Sequence, residues 1–274
     1  METWQSATKK LSEFFRFFLA SKNYVLVTEK DLYEAFKQYW KEKNTDGSES
    51  ILEDLLNYAR HFERLYLSVK SDELGENIGD FRRMQSYMPA PFVMRILEHY
   101  HVGGIDKEQT SSIIKLINTF LVRSYINDQD TSAISRFFPG YLRNVESQVA
   151  LRSFKNLYDI CVYYLVNENK GKASYMPDDS QTRTFLTTAN AYALLNIRWI
   201  LDKIELTGNP IGIDLSSLSI GYIMPQTINE YWASVSGLDE DHYTSVVNHI
   251  GNLTLAASDN SKMENMTLLT RRLF

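Results

Sequence analysis

Gly208-Asn209-Pro210-Ile211-Gly212-Ile213-Asp214-Leu215-Ser216-Ser217-Leu218-Ser219-Ile220-Gly221-Tyr222-Ile223-Met224 is the stretch at which this sequence changes texture. Gly-Asn-Pro is a boundary signal, and from Ile211 to Met224 the apolar residues alternate as in a strand or hairpin. Upstream the pattern is different: from residue 5 to about 206, apolar and aromatic residues recur every three or four positions, the spacing of helices that bury one face. Phe14, Phe15, Phe18 and Leu19 form one such stripe, and Thr28, with Glu29 and Asp31 behind it, caps another that carries Leu32, Phe36, Tyr39 and Trp40. Twelve Gly and six Pro in 274 residues is roughly half of average usage, and such scarcity of breakers favours long helices. Helices are predicted over about 49–68, 91–101, 107–127, 131–147, 150–168, 178–190 and 190–206, with a loop at Glu73–Asp80 and a break at Met88-Pro89-Ala90-Pro91-Phe92.

Downstream of the break the chain runs through Trp232 and a short helical stretch near 239–249 to Gly251-Asn252-Leu253-Thr254-Leu255, a second short strand, and then a polar helix from about 260. The expectation is a mainly α protein, with a multi-helix scaffold at 1–207 followed by a small α+β unit at 208–274. In that unit Trp232 should pack with Ile220, Ile223, Leu253 and Leu255, because a short strand pair needs an apolar face against a helix.

Several functions are excluded early. The net charge of −5 gives no global sign of a nucleic-acid binder, although it leaves room for a local basic face. A lone Cys161 cannot build a disulfide framework, and no apolar run approaches the ~18 residues of a membrane span. Met1-Glu2-Thr3-Trp4-Gln5-Ser6 lacks the basic flank and apolar core of a secretory signal, so a cytoplasmic protein with no membrane partner is expected. His99-Tyr100-His101 reads as the polar end of a helix rather than a metal pair. No zinc spacing, phosphate-binding Gly-rich loop or Gly-x-Ser-x-Gly elbow occurs. Tyr158, Tyr163 and Tyr164 read as core, and Arg82-Arg83 as a solvated pair.

One constellation is more specific. Ser219-Ile220-Gly221-Tyr222-Ile223-Met224-Pro225-Gln226, then Trp232, then His249-Ile250-Gly251-Asn252-Leu253-Thr254-Leu255, then Asn260-Ser261-Lys262, resembles in order and spacing the C-terminal nuclease domain of GmrSD-type restriction endonucleases, of the His-Me finger (HNH) class. Met88-Pro89-Ala90-Pro91-Phe92 and Met176-Pro177-Asp178-Asp179 are similar to that family's middle region. The family's N-terminal ParB-like module, with its Gly-Gln-Gln-Arg type motif, has no counterpart in these residues.

The resemblance implies a ββα unit in which a strand-end histidine deprotonates water and one Mg²⁺ or other divalent cation stabilises the phosphate. In the family the first motif reads Glu-His-Ile-x-Pro; here Gly221 stands at the acidic, metal-side position and Tyr222 at the general base. Tyrosine titrates near 10 and is a poor base at neutral pH, and glycine offers no side-chain oxygen. Asn252 matches the central Asn that braces the strand ends, and Asn260 a late metal-side position. Pro225, Gln226, Trp232, His249, Gly251 and Lys262 are motif positions with structural roles. The implied reading is a fragment or divergent member of a modification-dependent, phage-defence restriction system, catalytically inactive, with no cation bound and with its nuclease-like unit truncated at Phe274. Its implied partners are DNA and a separate ParB-like nucleotide-using subunit. A DNA-binding or regulatory module acting with an intact partner, a structural remnant of a split gene, and an active enzyme with a rearranged site are the alternatives.

Overall fold

Periodic apolar stripes become helices that bury those stripes. The computed structural model describes residues 4–44, 47–68, 70–84, 86–151, 155–194, 196–208 and 214–256. The helices are α1 (Trp4–Asn23), α2 (Leu32–Lys43), α3 (Ser48–Tyr66), α4 (Glu76–Met84), α5 (Ala90–His101), α6 (Lys107–Ile126), α7 (Thr131–Leu151), α8 (Leu157–Val162), α9 (Asp179–Thr188), α10 (Ile197–Gly208), α11 (Glu230–Ser236) and α12 (Glu240–Val246). Two strands, β1 (Ser219–Tyr222) and β2 (Leu253–Ala256), complete the described elements. None of the described helices is long and apolar enough to cross a membrane.

The chain divides into two compact units, Met1–Leu121 with Gln129–Met176, and Val122–Asp128 with Pro177–Phe274. In the first, α5 packs against α1, α3 and α7. Ala90, Phe92, Val93, Met94, Ile96 and Leu97 are all buried, so α5 is apolar nearly all round, as a central helix must be. Phe18 of α1 packs edge-on against Tyr39 of α2 and Tyr58 of α3, each at 5.4 Å between ring centroids.

Three expectations for this unit need correction. Glu73–Asp80 is not all loop, because α4 begins at Glu76. Its polar composition and Gly79 hide it from a periodicity search, and burial of Ile78, Phe81 and Met84 at three-residue spacing holds it. The buried face of α8 and the π-helical turn Tyr163–Asn167 that continues it is Leu157, Ile160, Cys161 and Leu165; Tyr163 is exposed and Tyr158 and Tyr164 are only half-buried. Arg82 is not a solvated cation, since its guanidinium donates to the Arg64 and Lys70 carbonyls and to Asp72.

The second unit is built from capped short elements. Asp178 accepts from the Gln181 amide at 2.8 Å while the Gln181 side chain accepts from the Asp178 amide at 3.0 Å, a capping box that opens α9. Asn229 and Asp239 cap α11 and α12 without the reciprocal bond, their side chains accepting from the Trp232 and His242 amides. A 3₁₀ turn, Ala191–Ala193, separates α9 from α10, where one helix over 190–206 was expected. The alternating stretch before Met224 is strand only over Ser219–Tyr222, and Leu215–Ser217 is a 3₁₀ turn capped by Asp214; residues 211–213 lie outside the described residues.

β1 and β2 are antiparallel, with Ser219 opposite Ala256, Ile220 opposite Leu255, Gly221 opposite Thr254 and Tyr222 opposite Leu253. A pair this short is marginal alone. It packs on a cluster containing Ile126, Ala191, Ile197, Ile200, Leu201, Trp232, Tyr243 and Val247. Ile220 and Leu255 pack against that cluster as expected, whereas Ile223 is 39% exposed. The Ile223 amide donates to the Asn252 carbonyl at 2.9 Å, continuing past the end of β1, and by the alternation of the pleat Ile223 falls on the face opposite Ile220 and Tyr222. The expected division at 207/208 falls inside this unit, which takes in α9, α10 and the end of α6. Arg123 reaches the Pro177 carbonyl at 2.7 Å and Asn127 reaches Thr182, tying 122–128 to the start of α9. The helix expected from about 260, and the expected truncation at Phe274, lie outside the described residues.

Candidate functional site

Tyr222 ends β1, and the pleat sends its ring toward the apolar cluster, leaving it 9% exposed. Its hydroxyl donates to Asn248 Oδ1 at 3.2 Å and accepts from Gln226 Nε2 at 2.9 Å. The Tyr192 ring lies against it, 5.4 Å between centroids. Burial, reinforced by Tyr192, pushes the phenol above its ordinary value, and the hydrogen bond from Gln226 opposes this only in part. At neutral pH the group is a protonated phenol held in an amide network. Gly221, beside it, is buried opposite Thr254.

Asn252 joins the two strand ends. Its Oδ1 accepts from the Met224 amide at 2.6 Å, and its Nδ2 donates to the Met224 carbonyl at 3.1 Å and the Val247 carbonyl at 2.7 Å. Only 4% of it is exposed, so these three bonds satisfy polar backbone that folding removes from water. Pro225 is buried, and its carbonyl accepts from the Tyr243 hydroxyl at 2.7 Å. Trp232 is 2% exposed and belongs to the core of the unit.

His249 faces elsewhere. With Met224, Trp232, Val246, Gly251 and Asn252 it lines an apolar pocket of about 450 Å³, to which Tyr222 does not contribute. The structure therefore sets Tyr222 with Gln226 and Asn248, and His249 with Asn252, whose backbone amide donates to the His249 carbonyl at 2.9 Å. Asn260 and Lys262 lie outside the described residues. Sequence reading missed Asn248 and Tyr192, the partners of Tyr222; neither stands in the motif, and only the fold brings them to the phenol.

A small divalent cation such as Mg²⁺ prefers carboxylate and water oxygens. The described donors here are a phenol and the Gln226, Asn248 and Asn252 amides, with Asn252 committed to backbone on both of its polar atoms. Among the described residues no group of three His, Cys, Asp or Glu side chains could hold a metal. That donor set does not fit the cation.

The second unit is thus an α+β module in which a two-stranded antiparallel sheet is packed on short capped helices. Residues 176–272 match the family model described as GmrSD restriction endonucleases, C-terminal domain. This region, about a third of the chain and nearly coextensive with the Pro177–Phe274 part of the second unit, is similar to a C-terminal domain of the GmrSD restriction-endonuclease type. No match to the chain is found among curated proteins.

Proposed function

We propose that this protein is a DNA-directed member of the GmrSD restriction type, serving phage defence, whose His-Me finger site is catalytically silent. The observation that carries the reading is the pair Gly221-Tyr222. The first has no side-chain ligand, and the second is a phenol with a raised pKa, engaged by Gln226 and Asn248. Loss of a general base alone costs roughly 10²–10⁴ in rate, and the missing carboxylate weakens cation binding besides. We assign the nuclease-like role to the whole second unit, with 1–121 and 129–176 as a helical scaffold, and place DNA and a separate ParB-like nucleotide-using subunit as partners inside the cell.

The test is nuclease activity of the full chain on plasmid, phage and hydroxymethylated DNA, with Mg²⁺ and Mn²⁺ in separate assays. The unaltered chain should not cut above background, and the double variant Gly221→Glu with Tyr222→His should gain metal-dependent nicking. Because Gly221 is buried, circular dichroism and thermal unfolding accompany the variant, and the single Tyr222→His change is assayed beside it. Robust cleavage by the unaltered chain refutes the reading. DNA binding without cleavage supports a recognition module that works with an intact partner.

A further inference from the structure

Within the first unit, α5, α7 and the N-terminal end of α8 enclose a pocket of about 390 Å³. Its polar lining is His99, Gln109, Gln148, Lys155 and Asn156, and no carboxylate is among its lining residues. Two of the amides are already oriented. Gln109 uses its Oε1 to accept from the Leu157 amide at 3.1 Å, and Asn156 uses its Oδ1 to accept from the Asp159 amide at 2.8 Å. Each therefore has its NH₂ group left to offer a ligand.

His99 is oriented in the same sense. Its Nε2 is bonded to Glu146 Oε1 at 2.7 Å, and Arg95 holds the other oxygen of Glu146 at 2.8 Å. Burial would raise the Glu146 carboxyl, but the hydrogen bonds from His99 and Arg95 outweigh it and lower the group to about 2. The Glu146 carboxylate is spent on these two partners. Its oxygens only accept, so His99 Nε2 donates to it and Nδ1 is the ring atom left toward a ligand. Gly104 adjoins His99: a Cβ there would press on the His99 carbonyl oxygen at 3.2 Å and make an ordinary contact with Nδ1 at 3.7 Å.

We infer that this pocket binds a phosphoryl group, with Lys155 as the counter-charge, the Gln109 and Asn156 amides as donors and His99 Nδ1 as the atom that reads its protonated oxygen. Amide NH₂ groups, an ammonium and no carboxylate select an anion. Inorganic phosphate carries an O–H at neutral pH that Nδ1 can accept, which a carboxylate lacks, whereas a phosphate monoester, with its second pKa at about 6, is mostly without one and would rest on the lysine and the amides. The volume admits a small phosphate ester as well as free phosphate. The inference stands on the first unit alone and is independent of the nuclease reading.

The test is titration of the full chain with inorganic phosphate, adenosine monophosphate and acetate, following the histidine ring signals by NMR, with His99 assigned from a His99→Gln variant, and thermal unfolding. Phosphate should move the His99 signals saturably and raise Tm, with acetate much weaker. Lys155 is exposed, so Lys155→Gln should fold normally and weaken phosphate binding about tenfold. Stronger binding of adenosine monophosphate supports an ester as the ligand, and stronger binding of inorganic phosphate supports the free ion. Unmoved His99 signals, equal binding of acetate, or unchanged affinity in Lys155→Gln overturns the inference.

Discussion

Replacing Asn252 with alanine removes three hydrogen bonds at one stroke: Met224 N–H to Oδ1, and Nδ2 to the Met224 and Val247 carbonyls. The side chain is nearly inaccessible and Val247 is buried, so water cannot easily replace what is lost. A buried polar group left without its partner costs about 1–3 kcal/mol. Met224 is half-buried and recovers part of its share from solvent, which gives an expected loss of about 3–4 kcal/mol in the second unit. Aspartate is no remedy. It keeps the acceptor for Met224 but faces a carboxylate oxygen toward two carbonyls at 3.1 and 2.7 Å. The assay is amide hydrogen exchange combined with urea unfolding of the full chain, because two compact units need not melt as one. Under native conditions the Met224 amide, bonded to the side chain, should lose more protection than the Ile223 amide, which is bonded to the Asn252 backbone carbonyl. A loss below about 1 kcal/mol, or equal deprotection of both amides, would refute the view that this side chain braces the strand ends.

Trp232→Ala, at a 2% exposed position, should destabilise the second unit by about 3–5 kcal/mol, measured by urea unfolding; a change under 1 kcal/mol would remove Trp232 from the core. Glu146 has a folded value lowered from 4.5 to about 2, so its contribution is complete above about 4.5 and is lost as pH falls toward 2, amounting to at most about 3 kcal/mol. Glu146→Gln should flatten that part of the acid-unfolding curve of the first unit, and an unchanged curve would contradict it. Cys161 is fully buried, and burial pushes its thiol up to about 12, so an aromatic disulfide reagent should label it only on unfolding; rapid labelling of the native chain would show that the α7–α8 packing opens.

Most helices were legible because burying one face of a helix imposes a period that the sequence carries without knowledge of any partner. The stripe Phe14, Phe18 needs only α1 itself to be read. That the Ile220 and Leu253 regions pair as two strands was also legible, since both runs are short, apolar and bounded by turn residues, while their antiparallel sense came from the structure; the motif from Ser219 to Leu255 pointed to the domain that the family match at 176–272 supports. What sequence could not supply was partnership. α4 exists because Ile78, Phe81 and Met84 find cover, not because Glu76–Met84 favours helix. Ile223 is exposed because the register of β1 commits Ile220 and Tyr222 to the covered face and the pleat alternates. The segment 122–128 joins the second unit through Arg123 and Asn127, although nothing in its composition separates it from the rest of α6. The setting of Tyr222 is of the same kind. Its identity is local and announces a weak base, but its hydrogen bonds depend on Gln226 and on Asn248, twenty-six residues on, which only the tertiary fold brings to it. Periodicity is encoded residue by residue along the chain, whereas burial and hydrogen-bond partners are properties of pairs distant in sequence, and those pairs are fixed only when the tertiary structure closes.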